Sequence, residues 1–121
     1  MDKKLFKILL FMKRRPGMSQ DEFIQYYEEK HVPLALKYSQ GMTAYKRQFV
    51  TPQAHFETGE CSDLGFDVIT ELCYDDEKIF NSVLGYLATS PLADEVVEDE
   101  KNLFDRTTFR IATCTEYVTD L

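Results

Sequence analysis

Apolar residues recur along this chain at two spacings. Over residues 4–12, Phe6, Ile8, Leu10 and Met12 alternate imperfectly with their neighbours, the pattern of a strand buried fully on one face and partly on the other. "RRPGM" then turns the chain, and Ser19 with Glu22 three residues on forms a capping box. From there the period lengthens, and Phe23, Ile24, Tyr27 and His31 share one helical stripe. Pro33 disfavours helical geometry at Val32, so the helix is expected to end at about His31, with "LALKY" adding at most a turn before "SQGM". Residues 43–50 have strand composition, and residues 51–64 lack any period and form the longest loop. "FDVITELCY" reads as a third strand. A helix follows over 75–88, carrying Ile79, Phe80, Val83, Leu84 and Leu87 on one side and capped by Asp75 or Asp76. Ser90 and Pro91 restart a helix as cap and first-turn proline, with Leu92, Val96, Val97, Leu103 and Phe104 as its apolar positions. "TTFRIATCTEYV" closes the chain as a fourth strand.

This order, βαββα(α)β, predicts the α+β class and a ferredoxin-like fold: a four-stranded antiparallel sheet with helices on one face. The other face would expose Leu9, Phe11 and strand aromatics, so a symmetric dimer is expected to cover it by packing sheet against sheet, enclosing a pocket. Residues 1–121 form one domain in this reading.

Composition narrows the partners. The 121 residues include 44% hydrophobic and 29% charged positions, as in ordinary globular domains, and the formal charge of -7 argues against nucleic acid or an anionic membrane. Small molecules and protein chains remain. Cys61, Cys73 and Cys114 are odd in number and lack CxxC spacing, which suggests neither a disulfide framework nor a zinc site. They are expected to be reduced, buried fillers in a cytoplasmic protein. The apolar centre of "MDKKLFKILLFMKRR" is interrupted by Lys7 and followed by "KRR", so it reads as a strand rather than a signal peptide, in a chain that is mature and soluble throughout. No phosphate loop, Ser/His/Asp set or nucleotide fingerprint is present, and no metal or organic cofactor is expected.

His31 is the first candidate for chemistry. Its stripe faces the interior, where it either bridges the helix end to a carbonyl or projects into a cleft as a proton-transfer group, a role suited to an imidazole.

The ordered set "LLFMKRRPGMSQDEFIQYYEEKHVPLA", "FDVITELCYDD" and "DEKNLFD" resembles the EthD family of dimeric α+β barrel proteins over nearly the whole chain. Similar folds include polyketide cyclases, small monooxygenases and muconolactone isomerases, most of which need no metal or organic cofactor. The resemblance extends to the methylmuconolactone methylisomerase branch, where His31 matches a helix-end histidine, Tyr45 a second-strand tyrosine, His55 a loop histidine and Glu71 a third-strand glutamate. Leu72 stands where that enzyme has a cysteine and His55 aligns with a shift of two residues, which argues against lactone isomerisation itself.

On this basis Tyr45 either packs its strand or binds an enolate or phenolate oxygen. His55 either is solvated or joins the site if its loop folds over the barrel mouth. Asp67 and Glu71 share one face of the third strand, and either line the barrel interior or pair with Arg110, Arg47 or Lys7. Asp99, Glu100 and Asp105 match the family's acidic segment and read as a solvated helix face. The resulting expectation is a homodimer that binds a mostly apolar, oxygenated small molecule. It would catalyse cyclisation, dehydration, isomerisation or monooxygenase-like oxygenation, with His31 as general acid/base and Tyr45, His55 and Glu71 as partners. The alternatives are a non-catalytic binder of a hydrophobic metabolite and an accessory oxidoreductase using haem or flavin.

Overall fold

The computed structural model describes residues 4–89 and 92–121. Strands β1 (Phe6–Arg14), β2 (Ala44–Phe49), β3 (Val68–Tyr74) and β4 (Phe104–Thr113) form one antiparallel sheet in the order β2-β3-β1-β4. Helices α1 (Gln20–Tyr26), α2 (Val32–Lys37), α3 (Glu77–Thr89) and α4 (Asp94–Leu103) complete the α+β fold, and the strand order is that of the split βαβ arrangement.

Alternation along the strands decides what meets the helices. Ile8, Leu10 and Met12 of β1, Val68, Thr70 and Leu72 of β3, and Tyr45, Arg47 and Phe49 of β2 share the helix-facing side, since the register sets Tyr45 opposite Leu72 and Leu10 opposite Thr70. Met12, Phe23, Tyr27, Val68, Leu103 and Phe104 are the buried core. Phe23 meets Tyr27, Phe49 and Phe104 edge to face at centroid distances of 6.0, 5.9 and 5.8 Å, an arrangement that aligns positive ring edges with negative faces. The capping box is present in both arms, with Ser19 Oγ accepting from the Glu22 amide and Glu22 Oε1 from the Ser19 amide. Asp76 caps α3 by accepting from the amides of Lys78 and Ile79.

The first helix does not stop at His31. Tyr27–His31 form a π-helical turn, and α2 continues directly, with Val32 in helical conformation (φ -59, ψ -50). The Val32 N–H reaches back five residues to the Tyr27 carbonyl. In a regular helix the Pro33 ring would press on the carbonyl four residues back and supply no donor; a widened turn moves that carbonyl aside, and Pro33 sits in the first turn of α2, where its missing N–H costs little.

The last strand also differs from expectation. It begins at Phe104, directly after α4, and ends at Thr113, so Phe104 is a strand residue rather than a helical one. Burial of Phe104 against Phe23 and Tyr27 outweighs the polar run that hides the strand start in the sequence. Pairing with β1 slips in between: Phe11 faces Arg110, yet Lys13 faces Asp105. The intervening bulge is tied by Asp105, whose side chain accepts from the Thr107 amide (3.2 Å) and hydroxyl (2.6 Å). Ser90 and Pro91, expected to cap the next helix, lie outside the described residues, and α4 itself opens at Asp94 with Ala93 as its N-cap, so Leu92 precedes the helix rather than lying on it. Of the cysteines, Cys73 is buried as expected, but Cys61 and Cys114 are exposed, since one lies in the long loop and the other beyond the end of β4.

On the opposite face of the sheet lie Lys7, Leu9, Phe11, Ile69, Glu71 and Cys73. Phe66 packs on Phe11 at 5.2 Å, and Lys7 Nζ pairs with Glu116 at 2.9 Å, fastening the C-terminal segment there. No helix among the described residues is long and apolar enough to cross a membrane.

Candidate functional site

Between the helix-facing side of the sheet and helices α2, α3 and α4 lies a cavity of ≈ 1080 Å³. Leu10, Leu72, Ile79, Val83, Leu87 and Ile111 make much of its wall apolar, and its polar groups include His31, Tyr27, Tyr45, Thr70, Glu100 and Arg106. A volume and lining of this kind suit a small organic ligand.

His31 stands at the end of the π-turn, only 9% exposed. Its Nδ1 lies 2.6 Å from Oδ2 of Asp99, itself 6% exposed, and the ring meets the edges of Tyr27 and Phe104 at 4.7 and 5.3 Å. Nδ1 is thereby engaged, and among the described residues Nε2 has no protein hydrogen-bond partner on the cavity side. A carboxylate on Nδ1 fixes the tautomer and the ring orientation. Asp99 therefore does not belong to a solvated helix face, contrary to what its acidic neighbourhood suggests. The signal for it was present: Asp99 falls three residues after Val96 and four before Leu103, inside the apolar stripe of α4.

Three hydroxyls form the second polar region. Tyr27 Oη and Thr70 Oγ1 are hydrogen-bonded at 2.5 Å, and the Tyr45 phenol lies close enough to Tyr27 for each to influence the ionisation of the other. Burial raises the pKa of both phenols above the ordinary value, so they remain protonated donors. The Arg47 guanidinium lies 4.9 Å from the Tyr45 ring centroid, donates to the Tyr45 carbonyl (3.0 Å) and pairs with Glu28 of the π-turn. That bridge ties β2 to the helix bearing His31.

Glu100 follows Asp99 but points elsewhere, as adjacent helical residues do. It lines the cavity at 8% exposure, where burial raises its carboxyl pKa against the lowering influence of Arg106. Arg106 Nε is 3.2 Å from Oε1, yet its N–H is not directed at that oxygen, which is buried without a hydrogen-bond partner. The solvated-face reading therefore fails for Glu100 as well, since it is buried and paired with Arg106 of the β4 bulge.

Of the expected site residues, His31 and Tyr45 come together at this cavity. His55 does not join them: it is exposed in the long loop, its Nδ1 accepts from the amides of Glu57 (3.1 Å) and Thr58 (3.3 Å), and its ring stacks on Phe56. Glu71 is on the far face of the sheet, opposite Leu9 and Lys46, because its neighbour Leu72 takes the cavity side. Asp67 accepts from the Arg14 amide at 2.8 Å, extending β1, and pairs with none of the three basic residues expected for it. Among the described residues no group of three or more His, Cys, Asp or Glu side chains is placed to hold a metal ion.

Comparison with known proteins gives the fold a lineage. An EthD-family protein from Bacillus halodurans superposes with a TM-score of 0.58 at 19% identity, over 94% of this chain and 100% of its own. A protein from Arabidopsis thaliana matches with a TM-score of 0.55 at 13% identity, over 96% of this chain and 99% of its own. An EthD-like protein from Ralstonia eutropha gives 0.53 at 16% identity, over 92% of both chains. No protein of curated function matches the sequence significantly. The family model described as "EthD domain" matches residues 15–107, from the turn after β1 to the β4 bulge, and this chain belongs to the EthD family.

Proposed function

We propose that the protein is a cofactor-independent enzyme which binds a mostly apolar, oxygenated small molecule in the cavity and moves a proton on it, with His31 as general acid/base. The observation that carries this reading is the Asp99–His31 pair at the cavity wall, 2.6 Å apart and largely removed from water. With Asp99 accepting from Nδ1–H, the lone pair of Nε2 faces the ligand. Nε2 takes a proton from an acidic C–H or O–H of the ligand, and Asp99 stabilises the imidazolium that results.

Negative charge then develops on a ligand oxygen, and Tyr45 answers it. Burial keeps the Tyr45 phenol protonated, so its hydrogen is available to the ligand oxygen. Return of the proton to another atom of the same molecule is isomerisation. Its delivery to a departing hydroxyl is dehydration, attack of the carbanion on an internal carbonyl is cyclisation, and reaction with dioxygen as co-substrate is oxygenation. The active form in this proposal is a homodimer joined through the far face of the sheet.

Screening hydroxyaryl ketones, linear polyketide mimics and lactones for turnover tests the proposal. His31→Gln should lower turnover about 10²–10⁴-fold while leaving affinity nearly unchanged. Equal turnover in both proteins would overturn it in favour of a non-catalytic binder.

A further inference from the structure

We infer that Glu100 is a second ligand-contacting group of this cavity, and that the bound molecule carries a hydroxyl which donates a hydrogen bond to the Glu100 carboxylate. This rests on the reading of the cavity as a ligand site and specifies the ligand further. Buried carboxylate oxygens are ordinarily satisfied by donors, because an oxygen stripped of water and left unpaired destabilises the fold. Oε1 of Glu100 breaks that rule beside the cavity that the residue lines, and because the terminal torsion of a glutamate is soft, a small rotation of the carboxyl group turns an oxygen to a bound molecule. The ion-pair partner of Glu100, Arg106, offers charge without a directed N–H, and among the other polar groups of the cavity wall His31 Nδ1 serves Asp99 while the Thr70 and Tyr27 hydroxyls bond each other.

The missing donor can therefore come from the ligand. Its chemistry follows from the surroundings. Arg106 and Arg110 both line the cavity, so an ammonium or guanidinium on the ligand would meet two like charges, whereas a neutral hydroxyl donates without adding charge. Burial also holds Glu100 less acidic than an exposed glutamate, which brings its proton affinity nearer to that of a phenol or enol and strengthens the shared hydrogen bond. With one oxygen at the His31 and Tyr45 region and a hydroxyl at Glu100, the ligand is at least doubly oxygenated on an apolar frame.

The test uses hexylresorcinol and its dimethyl ether as probes, with calorimetry for affinity and chemical-shift changes of cavity methyl groups for location. The wild-type chain should prefer the free hydroxyls by on the order of tenfold, the difference expected for a hydrogen bond to a charged group. Glu100→Leu should remove most of the preference, leaving only the part that a hydroxyl at His31 Nε2 contributes, with affinity for the dimethyl ether largely unchanged. Glu100→Gln, which keeps the shape and a weaker acceptor, should reduce the preference severalfold and decides the matter if the leucine variant does not fold. An undiminished preference in the variants overturns this inference and leaves the ligand site standing. If neither probe shifts the cavity methyl groups of the wild-type protein, both readings fall.

Discussion

Asp99 and Glu100 show how two neighbouring carboxylates acquire different properties from one helical step. Asp99 reaches the imidazole of His31, and its replacement by Asn keeps the shape but offers an amide that can bind Nδ1 as donor, turning the ring to the wrong tautomer. If His31 acts as proposed, Asp99→Asn should lower turnover about 10²–10⁴-fold, the effect expected of His31→Gln, while thermal stability changes little, read by steady-state kinetics beside calorimetry. Glu100 affects stability through its proton. Its folded pKa is raised above the ordinary 4.5, so its contribution is fully present below that value and is lost as pH rises through the folded pKa. The wild-type minus Glu100→Gln difference in unfolding free energy should decline over that window in denaturant titrations, and a difference that rises with pH would contradict the assignment. Of the residues that line the candidate site, His31 and Tyr45 were singled out in the sequence by their stripe and family position. Asp99 and Glu100 were not, because acidic side chains in a helix are usually solvated, and only their place within the Val96 to Leu103 stripe argued otherwise.

Elements were easier to read than their ends. Period and turn chemistry placed all four strands and the helices, since each buries one face. The π-turn and the β4 bulge were not read for different reasons: Pro33 was visible but taken to end the helix, whereas a widened turn lets the helix pass it, and the bulge answers tertiary packing by keeping Phe104 in the core while the strand recovers its register. Glu71 was misplaced for a related reason, since one residue of parity moves a side chain through the sheet. Gly41, between α2 and β2, illustrates a constraint between elements. It has φ +78, and a Cβ there would lie 2.8 Å from Ile79 Cδ1 on α3. Gly41→Ala should destabilise the protein by about 1–3 kcal/mol, from the left-handed conformation and from pressure on α3, as measured by urea unfolding.

At the scale of the whole molecule, the described helices cover the sheet on one side only. Leu9, Phe11 and Ile69 remain half-buried on the other, with Phe66 and the segment around Glu116 shielding part of it. A sheet-to-sheet homodimer should bury roughly 1,200 Å² or more of largely apolar surface. Sedimentation should show dimers at micromolar concentration, and Phe11→Glu should convert them to monomers by placing two like charges near the axis; a wild-type monomer would refute the arrangement.

Helix α3 contains no fully buried residue, although it walls the cavity through Ile79, Val83 and Leu87. Its anchorage is largely lateral, with Phe80 resting on Phe6 at 5.5 Å. Thermodynamic linkage then makes this helix a reporter of occupancy. Its amides should exchange with deuterium sooner than those of β1 and β3, through local openings that need not unfold the sheet. A molecule that fills the cavity binds only the closed form, so at a hundred times its dissociation constant it should raise the opening free energy by about 2.7 kcal/mol and slow α3 exchange about a hundredfold. Exchange protection confined to α3 therefore offers a way to recognise the natural ligand in a mixture before any reaction is known.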